Sequence, residues 1–150
     1  MRRPAALVAA AVALGGCGSA PRPPKPRESA GERVVRQWAD AERAGRFDIA
    51  SALFGLPAKV ANGGPVIRFH TRAEVDFFNR SLPCGAILKR TRPAANGRFV
   101  ATFELTERLG PGAGCGPGVG QPAEVAFRVR GGRIVEWLRV PDGSGGGQIT

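Results

Sequence analysis

The sequence predicts a single α+β domain in which N-terminal helices pack on an antiparallel sheet. Two observations carry this. Ser29-Ala30-Gly31-Glu32 and Thr71-Arg72-Ala73-Glu74 each place a hydroxyl three residues before a glutamate, the capping-box pattern, and each opens a stretch with apolar residues at helical spacing. After Pro83 the pattern changes to four strand-like runs, and Asn96-Gly97 and Gly131-Gly132 suit tight turns between antiparallel neighbours.

The chain ahead of that domain reads as an export and tethering segment. Arg2 and Arg3 precede an uncharged run from Pro4 to Leu14. A positive start, an apolar run of about 10 to 15 residues and a small-residue exit mark an export signal, too short to span a bilayer as a mature helix. Leu14-Gly15-Gly16-Cys17 resembles the lipobox of bacterial lipoproteins. The resemblance implies that residues 1–16 are a signal peptide and that Cys17 receives a diacylglycerol and becomes the mature N-terminus. Each buried methylene contributes about 0.8 kcal/mol, and two or more acyl chains hold a protein stably on a membrane. The expected location is therefore the cell membrane, lipid-anchored on the extracytoplasmic face. The other reading is an ordinary secretory signal cut after Ala20, which would release the domain.

Residues 17–28 hold four prolines between Pro21 and Pro26 without apolar periodicity, a semi-extended linker. Arg22, Lys25 and Arg27 either add about 1 kcal/mol each toward anionic headgroups or only solvate the spacer. The formal charge of +10 falls to +5 from residue 28 onward, because Arg2, Arg3, Arg22, Lys25 and Arg27 lie before it. The remaining basic residues are scattered, with no basic stripe carrying interleaved aromatics, so nucleic acid is not expected as a partner. With Cys17 assigned to lipid, Cys84 and Cys115 are the remaining pair. In an oxidising compartment they form one disulfide closing about 31 residues, for which loop entropy gives roughly 3 to 4 kcal/mol; the alternative is two separately buried thiols.

The domain spans residues 29–141. Val34, Val35, Trp38 and Ala41 mark one face of a first helix ending near Gly45, with Arg33, Arg36, Asp40, Glu42 and Arg43 on its solvated faces. Asp48 can cap a second short helix carrying Ile49, Ala52, Leu53 and Phe54, stopped by Gly55 and Pro57. Pro65 to Phe69 is a short strand, and a third helix from Thr71 carries Val75, Phe77, Phe78 and Leu82. Strands then run over Ala86–Arg92, Arg98–Glu107, Ala123–Arg130 and Arg133–Val140. The second of these alternates cleanly, Phe99, Ala101, Phe103 and Leu105 against Val100, Thr102, Glu104 and Thr106, so one face is buried. A tight turn at Gly131-Gly132 would put Val125, Phe127 and Val129 on one face with Ile134, Glu136, Leu138 and Val140, leaving Glu136 as the polar member of an apolar face. Residues 142–150 form a Gly-rich tail expected to be disordered.

This order of helices, ending in Phe127-Arg128-Val129-Arg130-Gly131-Gly132-Arg133-Ile134-Val135-Glu136-Trp137, resembles the nuclear transport factor 2-like superfamily. That superfamily has a cone-shaped fold and includes SnoaL-type polyketide cyclases and steroid isomerases; small bacterial lipoproteins carry such domains. The resemblance implies helices packed on a curved antiparallel sheet forming a cone. It brings no catalytic residue: the chain has no Tyr, His70 is its one histidine, and no acid neighbours His70 in sequence.

The candidate pocket is Trp38, Phe54, His70, Phe78, Phe103 and Glu136, with Asp40 and Glu104 as weaker polar members. The aromatics suit a core as well as a cone lining. A buried Glu136 would be a raised acid, or would pair with Arg98, Arg128 or Arg139. No metal ligand set, phosphate loop or nucleophile elbow is present, and no cofactor is expected. The favoured expectation is a non-catalytic module that binds a small apolar ligand or an envelope protein. A cyclase or isomerase using an acid in the cone is the second, and a homodimerising scaffold the third.

Overall fold

Capping sets where the fold begins. The computed structural model describes residues 27–142; the expected export signal and lipidated Cys17, most of the expected linker and the tail from residue 143 lie outside the described residues. Ser29 starts α1 (Ala30–Arg43): its Oγ accepts from the Glu32 N–H at 3.2 Å, and the Glu32 carboxylate accepts the Ser29 N–H at 2.6 Å. Thr71 and Glu74 open α3 (Arg72–Ser81) in the same reciprocal way. Between them lie α2 (Phe47–Ala52), β1 (Phe54–Ala61) and β2 (Ile67–Phe69). After α3 come β3 (Gly85–Ala94), β4 (Arg98–Thr106), a 3₁₀ turn at Gly116–Gly118, β5 (Pro122–Arg130) and β6 (Arg133–Arg139).

Two local expectations fail here. Arg46, not Asp48, stands at the start of α2, and it makes no side-chain cap. Phe54 belongs to β1 rather than to a helix, because tertiary contacts end α2 after one turn and a half. The Ile134 N–H donates to the Leu53 carbonyl at 2.8 Å, and the Arg72 and Arg133 guanidiniums donate to the carbonyls of Ser51 and Ala52. Pro57, read as a stop, sits inside β1 where the β1/β6 register shifts between Phe54 and Lys59, a place that tolerates its missing N–H.

The strands form one six-stranded curved sheet in the order β2-β1-β6-β5-β4-β3. All neighbours are antiparallel except β1 and β6, which run parallel, so the sheet is mixed where the sequence suggested a purely antiparallel one. The three helices cover one face. Trp38 of α1 stands at the centre of this layer, with edge-on rings of Phe103, Phe127 and Trp137 at centroid distances of 6.2, 5.8 and 6.1 Å. Its indole N–H reaches the Asn79 side-chain oxygen at 3.3 Å, and Asn79 in turn donates to Ser51 Oγ at 3.0 Å, so a buried polar chain joins α1, α3 and α2.

A bulge in the last hairpin decides which residues see this core. Val129 pairs with Ile134 but Arg128 pairs with Glu136, so Val135 is an extra residue on β6. Beyond it the side chains exchange faces. Trp137, opposite Phe127, turns into the core, and Glu136 turns to the other side of the sheet, which corrects its expected place on the Phe127 face.

Cys84 and Cys115 are joined by a disulfide, with Cα atoms 4.5 Å apart. It ties the Gly-rich β4–β5 connection to the start of β3. Among the described residues no helix is long and apolar enough to cross a membrane.

Candidate functional site

Glu42 is the polar side chain that the fold treats most unusually. It follows Trp38 by four residues and Val35 by seven, so the periodicity that buries those two carries it onto the same stripe. Its charge predicts a solvated place on α1; the structure exposes only 2% of it. Neither carboxyl oxygen meets a hydrogen-bond partner. Burial pushes its pKa up to about 8, with the nearby Asp76 carboxylate adding to the rise and Arg108 and Arg80 opposing it. At neutral pH this carboxyl holds its proton in most molecules.

Its surroundings come from three elements. Arg108, 5% exposed, follows β4 and packs its guanidinium against the end of α3. Nε donates to the Leu82 carbonyl at 2.6 Å, Nη2 to those of Arg80 and Pro111 at 3.0 and 2.9 Å, and Nη1 to that of Leu109 at 2.9 Å. The aromatic ring of this corner, Phe47, carries two cations, the Arg80 and Arg108 guanidiniums each lying 4.9 Å from its centre. Gly45, with φ +67°, lets the chain turn out of α1 so closely that a Cβ there would lie 2.8 Å from the Leu109 carbonyl oxygen. Directly beside this turn, an open cleft of about 480 Å³ is lined by Asp40, Arg43, Arg46, Glu107, Arg108 and Leu109, among others.

Of the six residues expected to line a pocket, the structure brings four together and sets His70 and Glu136 apart. Trp38, Phe54, Phe78 and Phe103 are 1–6% exposed and pack on one another and on Val35, Val75 and Phe127 as core. His70 is exposed before α3, where its backbone N–H donates to the Glu74 carboxylate at 2.8 Å. Glu136 lies across the sheet, enclosed by Arg98 at 2.5 Å, Arg128 at 3.5 Å and Lys59 at 3.7 Å. Burial alone would raise its pKa; the Arg98 hydrogen bond and the three cations outweigh that and hold it below the ordinary value. Glu136 is thus a structural anion, as its pairing alternative anticipated. Asp40 pairs with Arg43 at 3.0 Å and Glu104 with Lys89 at 3.0 Å, both at the surface. A signal for Glu42 was available, since its spacing from Val35 and Trp38 is that of the buried stripe. For Arg108, isolated before a Gly-rich loop, no local pattern existed.

No family model matches this sequence, and no curated protein does. Solved structures do. A candidate polyketide cyclase from Sinorhizobium meliloti superposes with a TM-score of 0.54 at 16% identity, covering 72% of this chain and 94% of its own. A protein of unknown function with the nuclear transport factor 2-like fold, from Cytophaga hutchinsonii, gives 0.54 at 9% identity over 77% and 92%. The domain has the nuclear transport factor 2-like fold. A candidate polyketide cyclase from Xanthomonas campestris, at 21% identity and TM-score 0.51, covers 73% of this chain and 88% of its own. These likenesses correct the expectation of a non-catalytic binding module: proteins described as enzymes stand among the nuclear transport factor 2-like structures that this chain resembles.

Proposed function

We propose that the domain is an acid–base enzyme of the polyketide-cyclase or isomerase kind, with Glu42 as its proton-transfer group. The observation that supports it is the Glu42 carboxyl, buried and without a hydrogen bond in a chain whose other buried acid, Glu136, is surrounded by cations. A structural carboxyl is satisfied by partners; one kept unpaired and raised is suited to moving a proton. With a pKa of about 8, roughly one molecule in ten carries the carboxylate at pH 7, and that carboxylate is a stronger base than an exposed one. It would take the proton from a carbon next to a carbonyl, leaving the electron pair in an enolate, and return the proton to the same or a conjugated carbon. Arg108 supplies positive charge beside the group as it ionises.

The experiment is exchange of α-hydrogens for deuterium in a panel of small ketones, followed by NMR. The protein should accelerate exchange, the rate should rise with pH through about 8, and Glu42→Gln should abolish it. Equal exchange by the variant and the parent would overturn the assignment of Glu42.

We further propose that the enzyme works tethered to the extracytoplasmic face of the cell membrane through lipid on Cys17, with the linker as spacer. The Leu14-Gly15-Gly16-Cys17 run supports this. Detergent-phase partitioning that is lost in Cys17→Ala is the expected result; partitioning of both proteins into the aqueous phase would refute it.

A further inference from the structure

The cleft at the end of α1 carries more positive charge than its own carboxylates neutralise. Of the charged groups that line it, Arg43 is paired with Asp40 at 3.0 Å, and the Glu107 carboxylate accepts the Cys115 N–H at 3.3 Å. Arg46 and Arg108 make no ion pair among the described residues. Arg108 uses four of its five N–H groups on carbonyls, which orient it but leave its charge in place and one Nη1 N–H unengaged. The carbonyls at the end of α1 would ordinarily repel an anion. Here Asp40, Ala41, Glu42 and Arg43 all accept backbone N–H groups, from Ala44, Arg46, Gly45 and Leu109 respectively. Leu109, 68% exposed, adds an apolar wall.

We propose that this cleft binds the carboxylate of a small organic acid, with the Arg46 guanidinium as its fork, Arg108 as fixed charge, and Leu109 against its aliphatic part. Three arginines against two carboxylates match a monoanion; a dianionic phosphate would have Asp40 and Glu107 to face without a further cation. As a binding site the proposal stands alone. As a statement about substrate, that the ketone transformed by Glu42 carries a carboxylate, it rests on the acid–base role of Glu42.

Binding also reports on Glu42. The groups around Glu42 are Asp76 and Arg80, paired with each other at 2.6 Å, and Arg108; Asp40, Arg43, Arg46 and Glu107 border the cleft. Burial moves Glu42 into the neutral to mildly alkaline range, and once ionised it opposes a bound anion.

The test is an NMR titration of the oxidised full-length chain with sodium propionate, against sodium chloride at equal ionic strength. Propionate should give saturable shifts at the amides of Arg46 and Leu109, and chloride should not. Arg46→Gln should weaken binding at least about fivefold, and so should raising the pH from about 6.5 to about 9.5 in the parent but not in Glu42→Gln. Absence of saturation, or unchanged affinity in a folded Arg46→Gln variant, would overturn the site. The two proposals fail separately: ketone exchange that needs Glu42 without propionate binding removes the anion site alone, and propionate binding without exchange removes the acid–base role alone.

Discussion

Arg98 on β4 meets Glu136 on β6 at 2.5 Å across the sheet face opposite the helices, although 38 residues separate them. Glu136 is 4% exposed, and Lys59 and Arg128 complete its enclosure. Removing one partner of a buried pair costs about 3–5 kcal/mol because the remaining charges lose their compensation. Glu136→Ala should therefore lower the thermal midpoint strongly, by more than Glu104→Ala, whose exposed pair with Lys89 contributes little. Differential scanning calorimetry of the two variants checks the contrast.

Glu136 also sets an acid limit. Its folded pKa is lowered, so the folded state binds fewer protons than the unfolded one, and the stability it adds is fully present above the ordinary carboxyl value. That contribution is lost as pH falls through the lowered folded value. Urea unfolding midpoints should drop steeply below about pH 4.5 in the parent and less steeply in Glu136→Gln.

Glu42 acts with the opposite sign. Its folded pKa of about 8 lies above the unfolded value of 4.5, so the folded state holds the extra proton in between. Stability falls as pH rises from about 4.5 to about 8 and levels off beyond. Glu42→Gln removes this fall. At pH 9 the variant should melt higher than the parent by at least about 5 °C, with a smaller difference at pH 4.

Arg108 can be tested through Glu42. Arg108→Met keeps much of the stem but removes the cation that lowers the Glu42 pKa, so carboxyl ¹³C titration should place Glu42 higher than in the parent. The same variant leaves the carbonyls of Arg80, Leu82, Leu109 and Pro111 without this donor and should be destabilised by about 1–3 kcal/mol.

The disulfide gives a further test. Reduction, or Cys84→Ser with Cys115→Ser, should cost about 2–5 kcal/mol, read from urea midpoints with and without dithiothreitol.

The sequence carried the helices and the hairpins because their signals are local. Ser29 and Thr71 sit three residues from the glutamates they bond, and Asn96 with Gly97 turns a hairpin without help from distant residues. What it missed was set at long range. Phe54 becomes a strand residue because β6, eighty residues later, pairs with it. Glu136 and Trp137 take their faces from Val135, an apolar residue that gives no hint of being unpaired. The candidate site was lost for a different reason. The charge of Glu42 argues for solvent where its spacing argues for burial, and the interior that makes it a weak acid is assembled from α3 and the segment after β4, which no local window contains.

Val135 has a consequence for how this hairpin can change. Substituting that residue alters one side chain, and deleting it would leave Glu136 opposite Arg128 and Trp137 opposite Phe127 in a straight ladder; pairing Val135 itself with Arg128 would instead drive Glu136 against Phe127 and lift Trp137 out among Arg98, Arg128 and Lys59. A slip of the pairing by one residue, not the loss of a codon, is what would exchange the buried Glu136 carboxylate with a central aromatic. Descendants of this chain are thus free to vary the letter at position 135, or to lose it, so long as Glu136 keeps Arg128 as its partner across the hairpin.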